Sequence, residues 1–523
     1  MEPTTTARRG RRVVASAVTV LACLLVAFAL LAPNNTGRIT PWSFARIPVD
    51  ALLAVPILLL LPARARRVVA VGLGAAVGLL VLLTILDIGF RSVLDRSFHA
   101  AYDWHSFGPA VEILAGQFSR VAATALVVLA ALLAVGLVAA GSGAVVRLTR
   151  VVVDHRAAAA RTTLALALVW IVCAVSGVRI APGEPIAARS AAAVAYERVR
   201  QVGADFQDQR RFAADLTTDA FRDVPGDELL TGLRGKDVLV TFVESYGRVA
   251  LDHPQVNEVL GAGTAGFGAR SAFLTSPTIG GISWLAHATL QSGLWVDNQL
   301  RYDTVVGSDR LTLSRAFDRA GWRTVGVMPA NTEEWPEHTF YGFDGYYDAR
   351  DIGYRGPDLS FFTTPDQYTL AAFHRAELAG AHPPVMAEID LVSSHWPWRS
   401  VPRLVSWSGI GDRSDFAGRP APRAEYADTI AYSLRTLISY LRTYGDDDLV
   451  LILLGDHQPD PAVAAAHASR DVPITVLARD RDVLDRIADW GWQRGLRPGP
   501  DAPVWPMDAF RDRFLTAFGR PPA

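Results

Sequence analysis

The chain has 523 residues, of which 50% are hydrophobic and 20% are charged. This composition is too apolar for a disordered chain or an ordinary soluble enzyme, and the length exceeds what one hydrophobic core usually organises. With 51 basic and 52 acidic residues there is no excess of positive charge, so nucleic acid is not expected as a partner. Both cysteines, Cys23 and Cys173, lie in apolar runs, which excludes a disulfide framework and a thiol nucleophile.

Apolar stretches in residues 1–181 predict a transmembrane domain of about five helices. Each stretch approaches the roughly 20 residues that a helix needs to cross a bilayer. They cover residues 13–32, 49–63, 68–88, 121–141 and 161–180. The second is short and contains Pro56 and Pro62, so a re-entrant or interfacial segment is the alternative there. A cleaved signal peptide is the alternative for the first, but its long apolar run and the stretches that follow favour a retained helix.

Arginine clusters predict the orientation of these helices. They precede the first stretch, follow the second, and separate the fourth from the fifth. Because cytoplasmic loops carry an excess of basic residues, the N-terminus is predicted inside the cell and everything after residue 181 outside. The polar residues 182–230 are predicted to form an extracytoplasmic tether, and residues 231–523 to form a catalytic domain.

The catalytic domain alternates short β-branched runs with amphipathic segments. The predicted strands are 237–243, 323–328, 385–391, 448–454 and 472–478, and the predicted helices are 308–320, 366–380 and 425–444. Apolar strands that alternate with helices are typical of a largely parallel sheet covered on both faces. The predicted fold class is therefore α/β.

Candidate metal ligands follow three of these strands. They are Glu244 after the first strand, His395 after the third, and Asp456 and His457 after the fourth. Taken singly, such a Glu is more often a helix N-terminal charge and such a His more often structural. Together at the carboxyl edge of one sheet, where α/β proteins bind ligands, they predict a divalent cation site.

A candidate nucleophile follows a Gly-Gly turn at residues 280–281. Ser283 opens a helix-like run, and a helix N-terminus favours a phosphate or sulfate group under attack. A plain helix N-cap is the alternative role for Ser283. Thr278 and Ser276 are the fallback nucleophiles, and His287, one turn later, is either structural or in contact with substrate.

These motifs resemble those of membrane-anchored members of the alkaline phosphatase and sulfatase superfamily, in layout the lipoteichoic acid synthases and related phosphoglycerol transferases. The resemblance is carried by Val-Glu-Ser-Tyr-Gly at Glu244, by Ser283, by Gly-Asp-His at Asp456, by Ser-His-Trp-Pro at His395 and by Glu-Glu-Trp-Pro at Trp335. It implies a sulfatase-like domain, a metal held by the acidic residues, His457 and the Ser283 nucleophile, and a substrate bound near His395 and Trp335.

The chain also departs from that group. Ser283 stands where Thr is usual, Met328 where the polyglycerol-phosphate enzymes carry a His, and Glu337 where they carry an Arg. A carboxylate repels a phosphate that a guanidinium would clamp, so the transferred group is expected to differ from glycerol phosphate. A formylglycine sulfatase is disfavoured because the domain has no Cys. In addition, Ser276-Pro277-Thr278 lacks the Ser-x-Pro-x-Arg spacing of those enzymes.

The sequence thus predicts transfer of a phospho-headgroup from a membrane lipid to an envelope polymer or glycan through a covalent Ser283 intermediate. Hydrolysis of a phosphate or sulfate ester is an alternative within the superfamily. A catalytically inactive membrane scaffold is the alternative from another class. The predicted cofactor is one divalent ion, with manganese, magnesium and zinc all compatible with Glu, Asp, His and hydroxyl ligands.

Overall fold

The computed structural model describes residues 5–34, 39–117, 119–181, 184–188, 191–264, 266–332, 334–357, 364–398, 400–417, 426–464 and 469–520. The chain divides into two compact units: the first comprises residues 1–92 and 96–208, and the second comprises residues 209–523 with residues 93–95. Within the predicted tether, residues 182, 183, 189 and 190 lie outside the described residues.

The first unit is mainly helical. Its helices are α1 (Thr5–Leu31), α2 (Val49–Leu60), α3 (Ala63–Leu94), α4 (Phe107–Gln117), α5 (Arg120–Asp154), α6 (Arg156–Ser176) and α7 (Ala191–Thr217), of which α7 continues past residue 208. Short strands β1 (Ile47–Pro48), β2 (Arg179–Ala181), β3 (Glu184–Pro185) and β4 (Ala187–Ala188) pair as β1 with β4 and β2 with β3.

Among the described residues, four helices are long and apolar enough to cross a membrane: α1 from Arg12, α3, α5 and α6. The second predicted stretch, residues 49–63, forms α2, which has only 12 residues. At about 1.5 Å per residue this helix is about 18 Å long, against a hydrocarbon core of about 30 Å. The predicted apolar helical domain is confirmed, with α2 as its shorter member.

Glycines bring α3 and α5 into close contact. A Cβ atom on Gly74 would lie 2.4 Å from the Ser142 Cα and 2.5 Å from the Gly141 carbonyl oxygen, and one on Gly78 would lie 2.6 Å from the Val138 Cα. Small residues four apart let helix backbones approach this closely, which is how helices pack in membranes without a hydrophobic driving force.

The second unit contains a nine-stranded sheet. Its strands are β5 (Asp237–Val243), β6 (Gly268–Thr275), β7 (Arg323–Met328), β8 (Gly345–Asp348), β9 (Val385–Leu391), β10 (Leu449–Gly455), β11 (Asp471–Ala478), β12 (Gln493–Arg494) and β13 (Val504–Pro506). The order across the sheet is β12-β6-β11-β10-β5-β9-β7-β8, with β13 paired to β6.

The helices of this unit are α8 (Pro254–Gly261), α9 (Ser283–Ser292), α10 (Gln299–Val306), α11 (Leu313–Arg319), α12 (His338–Tyr341), α13 (Ala349–Ile352), α14 (Asp366–Phe373), α15 (Tyr426–Tyr444), α16 (Pro461–Ala464), α17 (Arg481–Asp485) and α18 (Ala509–Phe518). The helix predicted over 308–320 starts only at Leu313, because Thr312 caps it by accepting a hydrogen bond from the Arg315 N–H. The helix predicted over 366–380 ends as a π-helical turn at Leu378.

The sheet is mostly parallel, as predicted, but not throughout. Strands β8, β7, β9, β5 and β10 are parallel, whereas β11 runs antiparallel to both β10 and β6. Alternate residues of β5 pack into two separate apolar cores, Leu239 in one and Val238 and Val240 in the other. Both faces of the sheet are therefore buried, and the carboxyl ends of β5, β9 and β10 lie along one edge.

Candidate active site

Three of the predicted metal ligands come together at this edge. Val243, the last residue of β5, pairs with Gly455, the last residue of β10, so Glu244 and Asp456 follow adjacent strands. Ligand atoms of Glu244, Asp456 and His457 all lie within 4.8 Å of one another. His457 Nε2 is 3.5 Å from Glu244 Oε1 and 3.3 Å from Asp456 Oδ2, and all three side chains are buried.

Backbone and hydroxyl donors hold the two carboxylates in place. Ser245 adopts a left-handed conformation, with φ of 58°, and its N–H donates to Asp456 Oδ1 at 2.7 Å. The His457 N–H donates to the same oxygen at 2.7 Å. The Ser245 hydroxyl donates to Glu244 Oε1 at 2.8 Å. The carboxylates are thus positioned before any ligand binds.

His457 directs one ring nitrogen into the cluster. Its Nδ1 lies 2.8 Å from the Gln458 carbonyl oxygen. Because a carbonyl only accepts hydrogen bonds, Nδ1 carries a proton. Nε2 accepts from the Gly281 N–H at 3.2 Å and lies on the side of the ring near Glu244 and Asp456. This is the tautomer that a metal-binding histidine uses.

The pKa values reflect this crowding of charge. Burial alone raises the pKa of Glu244, but the nearby His395 and His457, with hydrogen bonds, lower it to about 2. Burial and the Glu244 carboxylate raise the pKa of Asp456 to about 6. Burial lowers the pKa of His457, while Asp456 and Glu244 raise it and prevail. The cluster is an acidic pocket that favours a cation.

Ser283 lies against this cluster at the start of α9, as its predicted position at a helix N-terminus requires. Left-handed turns at Gly280 and Gly281, with φ of 63° and 98°, lead into the helix. The Ser283 hydroxyl donates to Glu244 Oε2 at 3.1 Å and lies 3.1 Å from His457 Nε2. The helix N-cap is Ile282, so the hydroxyl faces the cluster instead of capping the helix.

The fallback nucleophiles occupy a more enclosed position. Ser276 and Thr278 are both buried. The Ser276 hydroxyl donates to the Asp456 carbonyl oxygen at 2.6 Å and accepts from the Thr278 N–H at 3.3 Å. Ser276 therefore supports the turn that carries Asp456, whereas half-buried Ser283 is accessible.

His395 lies beside the cluster, after β9. It is half-buried, and its Nδ1 contacts the Trp396 carbonyl oxygen. The neighbouring Ser394 hydroxyl donates to the Glu244 carbonyl oxygen at 2.6 Å, so the loop after β9 is fixed to the loop after β5.

Trp335 packs in the apolar cluster on α9. This cluster includes Ile282 and Trp284, the residues on either side of Ser283. The Trp335 Nε1 donates to the Tyr302 hydroxyl at 3.4 Å, and its ring lies 5.1 Å from that of Tyr341. Two residues that differ from those of the polyglycerol-phosphate enzymes lie elsewhere in the fold. Met328 is buried at the end of β7, and Glu337 is the half-buried N-cap of α12.

The sequence analysis missed Glu388. This residue lies inside β9, buried, and its Oε1 is 2.7 Å from His287 Nδ1. Its other oxygen accepts from Gln291, and the His287 ring stacks on Phe242 with centroids 3.9 Å apart. His287 thus anchors α9 to the sheet beneath Ser283. A charged residue within the apolar run of β9 is the signal that could have indicated a buried ion pair.

No protein-family model matches this chain, and no curated protein matches it. Solved structures do. The integral membrane lipooligosaccharide phosphoethanolamine transferase A from Neisseria meningitidis covers 96% of this chain and 95% of its own, at 12% identity and TM-score 0.42. The phosphoglycerol transferase GacH from Streptococcus pyogenes covers 60% and 80%, at 12% identity and TM-score 0.38.

A third match is the lipoteichoic acid synthase LtaP from Listeria monocytogenes, which covers 55% of this chain and 73% of its own, at 13% identity and TM-score 0.35. A synthase and two transferases are thus among the proteins that this chain is similar to.

Proposed function

We propose that this protein is a metal-dependent transferase that moves a phospho-headgroup from a membrane lipid to a cell-envelope acceptor through a covalent Ser283 intermediate. One observation carries the proposal: the half-buried Ser283 hydroxyl lies 3.1 Å from both Glu244 Oε2 and His457 Nε2, at the start of a helix. A hydroxyl held by a carboxylate and an imidazole at a helix N-terminus is suited to attack phosphorus.

The donor set fits one divalent cation. Asp456 Oδ2 is buried and has no hydrogen-bond partner, although Oδ1 of the same carboxylate accepts two. An orphaned carboxylate oxygen beside an imidazole nitrogen is expected where a cation belongs. Glu244, Asp456, His457 and Ser283 would hold manganese, magnesium or zinc, which would favour the deprotonated Ser283 hydroxyl and stabilise charge on the phosphate.

In the first half-reaction, Ser283 Oγ, after its proton has been released to solvent, forms a bond to the phosphorus of the lipid. The bond from phosphorus to the glycerol oxygen of the diacylglycerol breaks, and His395 gives that oxygen a proton. The positive end of the α9 helix dipole favours the negative phosphate oxygens. Trp335 is proposed to cover the headgroup.

In the second half-reaction, the hydroxyl of an envelope polymer or glycan attacks the same phosphorus and releases Ser283. His395, now neutral, takes the proton from this hydroxyl. If water is the acceptor, the same residues perform hydrolysis. The combination of a nucleophile, a cation-binding cluster and a charged group beside them favours either reaction over a scaffold, for which such residues have no physical use.

The second unit is proposed to lie outside the cytoplasm and the first unit in the membrane. The arginine clusters place the N-terminus inside, and α2 must then take part in returning the chain across the bilayer. This location gives the site access to lipid headgroups of the outer surface and to envelope acceptors.

The covalent intermediate provides the test. Full-length protein with manganese, magnesium or zinc is incubated with vesicles of phosphatidylglycerol, phosphatidylethanolamine or cardiolipin, and its peptides are analysed by mass spectrometry. We expect a phospho-headgroup mass on the peptide that contains Ser283. Ser283→Ala should abolish the adduct, and the matched control Thr278→Val should retain it. An adduct on Thr278, or one that persists in Ser283→Ala, would overturn the assignment.

A further inference from the structure

A cavity of about 610 Å³ lies within the first unit, among α1, α2, α3, α5 and α7. Its size is within the range of about 300–1,000 Å³ that is typical of ligand sites. None of its lining residues belongs to the site of Glu244 and Ser283. On α3 the lining extends from Leu73 to Asp87, which at about 1.5 Å per residue is about 21 Å. This exceeds half of a hydrocarbon core of about 30 Å.

The walls of this cavity are aliphatic over most of that length. Leu30 of α1, Leu58 of α2, Leu80 of α3 and Leu148 of α5 line it with their neighbours. On α5 the walls also carry the Thr149 hydroxyl, which already donates to the Val145 carbonyl oxygen at 2.7 Å. A water molecule needs two to four polar partners to occupy a buried site, so these walls suit an apolar molecule better. In a bilayer, the apolar molecule available to fill the space is a lipid.

One end of the cavity is charged. Arg198 of α7 pairs with Asp87 and donates to the Phe98 carbonyl oxygen at 3.1 Å. Arg198 lines the cavity, and its side chain remains 25% exposed. Asp50 accepts from the Ala191 N–H at 2.6 Å and so caps α7, which covers this end.

Negative charges outnumber positive charges at this end of the cavity. Asp205 of α7 also lines the cavity, and its Oδ2 lies 3.2 Å from His99 Nδ1. The lining thus carries three carboxylates, on Asp50, Asp87 and Asp205, and one guanidinium. A headgroup that combines a phosphate with a positive charge complements this arrangement, whereas an anionic headgroup meets excess negative charge.

We infer that the cavity binds one zwitterionic diacyl phospholipid. An acyl chain lies along the aliphatic walls, the phosphate contacts Arg198, and the positive end of the headgroup faces the carboxylates. This lipid is a resident of the first unit and takes no part in the transfer at Ser283. Its binding is therefore independent of the proposed function.

Native mass spectrometry of the full-length protein tests the inference. The protein is released from nanodiscs that contain equal amounts of phosphatidylcholine and phosphatidylglycerol. We expect one retained phospholipid per chain and a several-fold preference for phosphatidylcholine. Protein without a retained phospholipid, or a preference for phosphatidylglycerol, would overturn the inference.

Two variants locate the bound lipid. Leu80→Trp fills the cavity and should lower retention at least fivefold, and Arg198→Gln should lower it several-fold by removing the phosphate contact. The matched control is Leu133→Trp, because Leu133 of α5 is 64% exposed and does not line the cavity. Circular dichroism checks that each variant keeps its helix content. Retention in folded Leu80→Trp equal to that in Leu133→Trp would place the lipid elsewhere.

Discussion

Replacing His287 tests whether a buried ion pair holds the nucleophile helix to the sheet. Burial lowers the pKa of His287, but the hydrogen bond and charge of Glu388, with two nearby carboxylates, raise it from 6.5 to about 9. The protonated, paired form is therefore favoured in the folded protein. Each tenfold change in proton affinity corresponds to about 1.4 kcal/mol, so the pair contributes about 3 kcal/mol to stability near neutral pH.

The sign of the pH dependence follows from the raised pKa. The folded state binds the His287 proton more tightly than the unfolded state does. The stabilisation is fully present below about pH 6.5 and is lost as the pH rises through about 9. His287→Leu leaves the buried Glu388 carboxylate without its charged partner and with the Gln291 amide as its remaining donor, and breaking such a pair costs about 3–5 kcal/mol.

The assay is thermal unfolding of the full-length protein in detergent, followed by tryptophan fluorescence. At about 2 °C per kcal/mol for a unit of this size, His287→Leu should lower the melting temperature by about 6–10 °C at pH 7. The double variant His287→Leu/Glu388→Leu should recover most of this loss, because it leaves no unpaired charge. A His287→Leu variant as stable as the wild type would refute the reasoning. A double variant whose stability changes with pH as the wild type's does would also refute it.

Four further outcomes are expected. A reporter fused after Thr217 should be active only outside the cytoplasm, and cytoplasmic activity would exclude an extracytoplasmic enzyme. Asp456→Ala should lower the metal content of the purified protein, measured by elemental analysis, and abolish turnover, while full occupancy with activity would remove the metal site. Glu337→Arg should increase use of phosphatidylglycerol, measured as released diacylglycerol, if this position faces the headgroup. Gly74→Leu should lower the melting temperature and Gly72→Leu should not, since a Cβ on Gly72 meets no atom within 4 Å.

The strands that sequence predicts best are those buried on both faces. Strands β5, β7 and β9 begin and end where predicted, because continuous β-branched and apolar runs can satisfy two apolar cores at once. Strand β6 was not predicted, since Gly268, Arg270 and Ser271 interrupt its apolar pattern. The antiparallel direction of β11 was also missed, because pairing with β10 and β6 fixes direction and no local pattern encodes it.

The same limits apply to the site. The proximity of the residues that directly follow β5 and β10 could be predicted from the sequence, because parallel strands end at a common edge. Contacts between elements that are distant in sequence could not be predicted. The approach of the Ser283 hydroxyl to Glu244 and His457 depends on how α9 packs, and the pairing of Glu388 with His287 joins residues 101 positions apart.

Ser245 must both adopt a left-handed backbone and supply a hydroxyl to Glu244. For a residue with a side chain this conformation costs roughly 1–2 kcal/mol, which glycine would not incur. Yet the same turn directs the Ser245 N–H at Asp456, and its hydroxyl restrains Glu244. Glycine would relax the backbone and release the carboxylate. At this position an unstrained backbone and well-placed carboxylates require different residues. Serine accepts the backbone strain and keeps the carboxylates in place.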